Sequence, residues 1–187
     1  MAGRSRLQRP AEFSEPPPGD PEQDLGDPES VARAICLRLL TQRARSRTEL
    51  AEALRKRGVP DDAATTVLDR FVEVGLIDDA ALAASLASAQ HQERGLARRA
   101  VAAKLRQRGL GDEVDDALTV IDSDSERQRA RELVARRRRA LAGLPPETQA
   151  RRLVGLLARK GYSSGLSYSV VREALAGEPD WDPGELT

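Results

Sequence analysis

Residues 46–59 read SRTELAEALRKRGV, and the architecture of the whole chain can be read outward from them. Ser46, followed three residues later by Glu49, forms a capping box, in which hydroxyl and carboxylate satisfy backbone donors that an opening helical turn leaves unpaired. Leu50 and Leu54 then lie one turn apart on one face. Gly58 permits the left-handed backbone that ends a helix. The ending recurs: Leu50, Leu54, Arg57, Gly58, Val59 is matched by Val101, Leu105, Arg108, Gly109, Leu110 and by Leu153, Leu157, Lys160, Gly161, Tyr162, with the glycines 51 and 52 residues apart. Nine residues past each glycine an apolar residue returns as Val67, Leu118 and Val170. Units that cannot bury an apolar face alone must stack, and stacking makes an extended body with a long partner surface. The pattern points to binding before catalysis.

Composition narrows the class. Aromatic residues make up 3% of the 187 and the 30 basic and 30 acidic side chains cancel, so several thin cores of Leu, Val and Ala fit better than one thick core, and any electrostatic targeting must be local. The single cysteine, Cys36, shares a helical face with Val31, Ile35 and Leu39 and reads as a buried structural thiol, since one cysteine closes neither an intrachain disulfide nor a zinc site. No apolar run is long enough to span a membrane and no secretory signal opens the chain, so a cytoplasmic protein is expected.

Periodicity and capping signals divide the chain into helices. Asp27, Pro28 and Glu29 open a first helix to about Gln42, the second runs from Ser46 to Gly58, and a third starts at Pro60 and carries Ala64, Val67, Leu68 and Phe71 toward Gly75. Asp78 or Asp79 caps a helix over 80–93, followed by helices over 96–108 and 112–121. Ser123 to Glu126 reads as a second capping box opening a helix to about Leu141, Pro145 and Pro146 open another to Lys160, and the last covers 164–176. Nothing alternates like a strand. The expected fold class is all-α: three tandem three-helix repeats forming an elongated, curved helical array. The expected units are a disordered arm at 1–27, repeats at 28–77, 78–122 and 123–176, and a flexible acidic tail at 177–187 that holds Trp181.

Charge is segregated by helix. Basic residues gather at the ends of the second helices, as Arg55, Lys56, Arg57, then Lys104, Arg106, Arg108, then Arg159, Lys160, while the third helices of units one and two open with Asp61 and Asp62 and with Asp112, Glu113, Asp115 and Asp116. Compensation of the helix dipole explains one or two charges per end. Clusters of three suggest a basic stripe running along stacked repeats. A second concentration, Arg127, Arg129, Arg131 and Arg136 to Arg139, faces only Glu126 and Glu132 and suits an anionic partner, with Arg137 falling on the apolar stripe of its own helix. No catalytic constellation emerges: His91, the lone histidine, reads as a surface residue, Asp78 and Asp79 read as caps, and no phosphate-binding glycine loop is present. A helix-turn-helix DNA-binding regulator is the alternative, weakened by the acidic openings of its would-be recognition helices. A general helical scaffold with another client is a third reading.

The three-by-three helices, the run Ser46 to Leu50 leading to Gly58, the junction Gly75, Leu76, Ile77, Asp78, Asp79, the pair Arg94 and Gly95, and the stretch Arg151 to Tyr162 together resemble the RecX regulatory proteins over roughly residues 29–176. The resemblance implies a non-enzymatic bacterial protein without cofactor or metal that binds the RecA recombinase filament on DNA. It also implies that such a protein restrains ATP hydrolysis, strand exchange and the co-protease activity that triggers the SOS response. On that reading the partner-binding candidates are Arg57, Arg108 and Lys160 at equivalent repeat positions, with Arg98, Arg99, Arg136, Arg138 and Arg139 beside them. The basic second helices also leave nonspecific contact with DNA phosphates open, with neither a membrane nor a small-molecule substrate expected. Unit three departs from the pattern where Ser163, Ser164 and Gly165 replace the acidic opening.

Overall fold

The computed structural model describes residues 27–176, and the expected arm, except Asp27, and the tail lie outside them. Nine helices and no strand occur among the described residues: α1 Pro28–Leu40, α2 Arg47–Arg55, α3 Asp61–Glu73, α4 Asp79–Gln92, α5 Arg98–Gln107, α6 Val114–Ala117, α7 Ser123–Arg139, α8 Pro146–Arg159 and α9 Ser164–Leu175. Three tandem three-helix units result, α1 to α3, α4 to α6 and α7 to α9. Every extensive helix pairing lies inside one unit, and the cores are separate. Leu50, Leu54, Leu68 and Phe71 fill the first, Val101, Leu105, Leu110 and Ile121 the second, and Val134, Leu153, Leu157 and Val171 the third. Each such buried leucine contributes on the order of 2 kcal/mol.

Local chemistry explains the helix ends. The capping box at α2 forms as read, Ser46 Oγ accepting from the Glu49 amide and Glu49 from that of Ser46. At α7 the cap is Asp122, which accepts from the Ser125 amide, because Glu126 is drawn away to another helix. The α6 helix is a single turn instead of the expected ten residues. Glycine, threonine and valine around it are poor helix formers, and the Arg98 guanidinium takes the carbonyls of Leu118 and Ile121. In α1 the buried face is Ala32, Cys36 and Leu39, and Val31 is left 37% exposed, one residue off the face anticipated.

Helices α2, α5 and α8 end alike. Gly58, Gly109 and Gly161 have φ of 75°, 72° and 91°, and the amides of Val59, Leu110 and Tyr162 reach back to the carbonyls of Leu54, Leu105 and Leu157. Two of these ends dock on the start of the corresponding helix in the preceding unit. Gly109 lies on Thr48, where an added Cβ would come within 2.3 Å, and Ser46 Oγ donates to the Arg108 carbonyl at 2.5 Å. Gly161 lies on Ala100, where a Cβ would come within 2.6 Å, and the Ala97 amide donates to the Lys160 carbonyl at 2.9 Å. A carboxylate from the incoming unit's first helix completes each joint: Asp79 accepts the Arg47 amide at 3.0 Å and Glu126 the Arg98 amide at 2.8 Å. Units one and two, and units two and three, are joined in this way, and no described hydrogen bond or ion pair links unit one to unit three.

Alanine at either of two glycines separates backbone strain from joint packing. Gly58 and Gly109 share a left-handed backbone, so Gly58→Ala and Gly109→Ala each lose about 1–2 kcal/mol, but only Gly109→Ala also forces a methyl into Thr48, costing about 1–3 kcal/mol more. Urea unfolding followed by circular dichroism reads the difference, and equal losses would remove the joint from the account.

Candidate partner-binding surface

The joint between units one and two is centred on Glu49. Its carboxylate accepts from Arg108 Nε at 3.0 Å and Nη2 at 2.7 Å, from Arg43 Nη2 at 3.1 Å and from the Ser46 amide at 3.2 Å. Burial pushes its pKa up, but the hydrogen bonds from Arg108, Arg43 and Ser46 prevail and hold the group at about 2. Asp79, across the same joint, is raised by burial against the pull of the Arg47 amide. At the joint between units two and three the charged side chains meet backbone groups, Glu126 the Arg98 amide and Lys160 the Arg94 carbonyl. Tyr162 donates its hydroxyl to the Gly95 carbonyl at 3.2 Å, and burial lifts that phenol to about 12. Arg129, from α7, donates to the Gln92 carbonyl and pairs with Glu132.

These joints redistribute the basic candidates. The stripe expected through Arg57, Arg108 and Lys160 is not a free surface. Arg108 is fixed on Glu49 with its side chain 23% exposed, and Lys160 donates its ammonium to the Arg94 carbonyl. The equivalent positions are consumed because a repeat ending must satisfy its own junction before it can face outward. Arg98 is likewise spent on the carbonyls that close α6. In α7, Arg127 and Arg131 both grip Glu173 of α9. Arg57, Arg99, Arg136 and Arg139 are exposed, and of these only Arg57 makes a described bond, to its own helix at the Ala53 carbonyl. Arg138 is half-buried, and Arg137, expected on the apolar stripe, is exposed.

Two of the exposed cations are gathered at one place. Arg99 and Arg106, two turns apart on α5, line one cleft of about 460 Å³ at the joint of units two and three, together with Arg98, Asp115, Glu126 and Ser163. Arg106 stood in the sequence only as part of a charge cluster. Glu49, Asp79 and Glu126 had looked like caps of their own helices, and only the docking of one unit on the next reveals their partners. His91 also departs from its expected surface position. It is 7% exposed and its Nδ1 donates to the Leu96 carbonyl at 2.9 Å, because the chain turns at Gly95 and folds Leu96 back over the end of α4. Cys36 is fully buried, and burial raises its thiol pKa. Among the described residues no group of three or more His, Cys, Asp or Glu is placed to hold a metal ion, and no helix is long and apolar enough to cross a membrane.

The depressed pKa of Glu49 sets a pH dependence. A carboxylate at about 2, against an ordinary 4.5, contributes stability in full above the upper value and loses it as pH falls toward the lower. Glu49→Gln should therefore unfold at lower urea than the parent at pH 7, with the gap narrowing from about pH 4.5 downward. Parallel curves across that range would take Glu49 out of the joint.

Models of the first, second and third three-helix domains of RecX match residues 32–71, 78–118 and 124–174, one to each unit. The regulatory protein RecX of Streptomyces coelicolor is 51% identical over 90% of this chain and 86% of its own length. That of Thermobifida fusca is 53% identical over 79% and 80%. The crystal structure of RecX from Lactobacillus salivarius superposes with a TM-score of 0.70 over 79% of this chain and 96% of that one, at 18% identity, a likeness of fold. Three jointed helical units, each matched in order by its own domain model and supported by half-identical relatives along most of their length, make this chain a member of the RecX family of regulatory proteins.

Proposed function

We propose that this protein acts by binding, without catalysis or cofactor, and that its partner is the RecA filament on DNA, whose ATP hydrolysis, strand exchange and co-protease activity it restrains. Recombination, DNA repair and the SOS response are the processes it would modulate, within the cytoplasm. The observation that carries this reading is the serial joining of three separately cored units. A body in which each unit meets only its neighbours presents a long face to a partner that itself repeats. Arg99 and Arg106 in their cleft, with Arg57, Arg136 and Arg139 exposed elsewhere, supply cations for acidic protein surface or DNA phosphates. Bridging adjacent filament subunits would oppose the relative motion that their cycle requires. The family assignment and the named regulatory role of the relatives support the same reading. The helix-turn-helix alternative loses ground in unit two, where α6 is one turn long, too short to lie in a major groove and read bases.

Titration of the chain into a DNA-stimulated RecA ATPase assay tests the proposal. Hydrolysis should fall with added protein, and less so as salt rises and screens exposed cations. Replacing Arg99→Glu together with Arg106→Glu should raise the half-inhibitory concentration about tenfold, equivalent to roughly 1.4 kcal/mol, with unchanged helicity. No inhibition by the parent chain at any salt would overturn the reading.

A further inference from the structure

Three equivalent helix endings are present, and among the described residues only two are occupied. The Arg108 and Lys160 carbonyls accept from the preceding unit, and Gly109 and Gly161 lie in close contact with it. Among the described residues no unit precedes the first ending. Around Gly58 an added Cβ would meet nothing within 4 Å, Arg57 and Gly58 are exposed, and Arg55 and Lys56 beside them are exposed cations. Its backbone is nevertheless in the docking conformation, with the same positive φ and the same reach of the following amide to the leucine carbonyl.

What such an ending accepts is visible in the chain itself. Arg108 and Gly109 receive the first turn of α2, where Ser46 bonds the carbonyl and Glu49 holds the guanidinium. A second copy of this chain offers no vacant counterpart. The α2 start is taken by unit two and the α5 start by unit three. In unit three the residue twelve before the glycine, matching Ser46 and Ala97, is Gln149, which is buried inside α8 and bonded to the Leu144 carbonyl. The α8 helix starts a turn earlier, at Pro145 and Pro146, which have no N–H to offer.

We infer that the Arg57–Gly58 end of α2 is a docking point for another protein, and that it receives the first turn of a helix opening with a serine or threonine N-cap and a glutamate three residues on. Arg57 pairs with that glutamate, the Arg57 carbonyl accepts from the N-cap hydroxyl, and Gly58 provides the clearance, as Arg108 and Gly109 do within the chain. The inference goes beyond the filament proposal and does not depend on which protein supplies the helix.

The probe is a synthetic peptide of residues 43–55, RARSRTELAEALR, the segment that fills the occupied joint. Titrated into the isotope-labelled full chain, it should shift the amide resonances of Arg57, Gly58 and Val59 saturably, at millimolar concentration because so short a helix is marginal in water. An Arg57→Glu protein of unchanged circular dichroism, or a peptide carrying Glu49→Lys, should reduce those shifts about fivefold or more. No saturable shift at the three amides, or shifts indifferent to both charge reversals, would overturn the inference. Sedimentation of the full chain alone completes the test. A monomer is expected, and association abolished by Arg57→Glu would make the occupant a second copy and overturn the assignment to a different protein.

Discussion

A helix cannot satisfy its own ends, and this protein is organised around that deficit. The first turn of α2 and of α5 leaves amides without intrahelical partners, and the glycine endings of α5 and α8 turn carbonyls outward. Each joint brings one kind of end against the other. Glycine is required there for two reasons at once: the backbone must adopt a positive φ, and the neighbouring helix must come closer than any side chain allows. Because the joints consist of a few hydrogen bonds and close contacts, while nearly all the apolar burial among the described residues lies inside each unit, with Ala97 of unit two reaching the third core, the order of units is fixed with little merging of their cores.

The two joints share geometry but differ in electrostatics. An ion pair crosses the first, Glu49 with Arg108, whereas in the second Glu126, Arg129 and Lys160 meet backbone groups beside the Tyr162 hydroxyl. Ionic strength therefore acts on them unequally. Part of the positive charge is matched within the molecule, at Glu49, Glu132 and Glu173, while Arg99 and Arg106 of α5 stay exposed and share a cleft.

Most of the fold was legible because its signals are local. Capping residues, helical spacing of leucines and three recurring glycines act within a few residues of themselves, so helix count, order and period follow from them. The exceptions were set by contacts between distant residues. The shortening of α6 involves Arg98, twenty residues upstream, and the cap of α7 moved to Asp122 because Glu126 serves α5. The candidate surface was legible only in part for the same reason. Equivalent positions in a repeat were read as equivalent in exposure, whereas Arg108 and Lys160 lie in joints and Arg57, at the head of the array, does not. His91 was misplaced because its polar sequence neighbours gave no hint of the chain turning at Gly95.

The proline pair that opens α8 also bears on how such a molecule can lengthen. Duplication after the third unit would produce a newcomer whose glycine ending finds the matching position, Gln149, buried within α8, and at the helix start a proline pair without an N–H, so growth on that side lacks the donor that the other joints use. At the Gly58 ending no described residue presents such an obstacle. The array carries a direction in which evolution or a designer can extend it, written in two residues far from the end that would be extended.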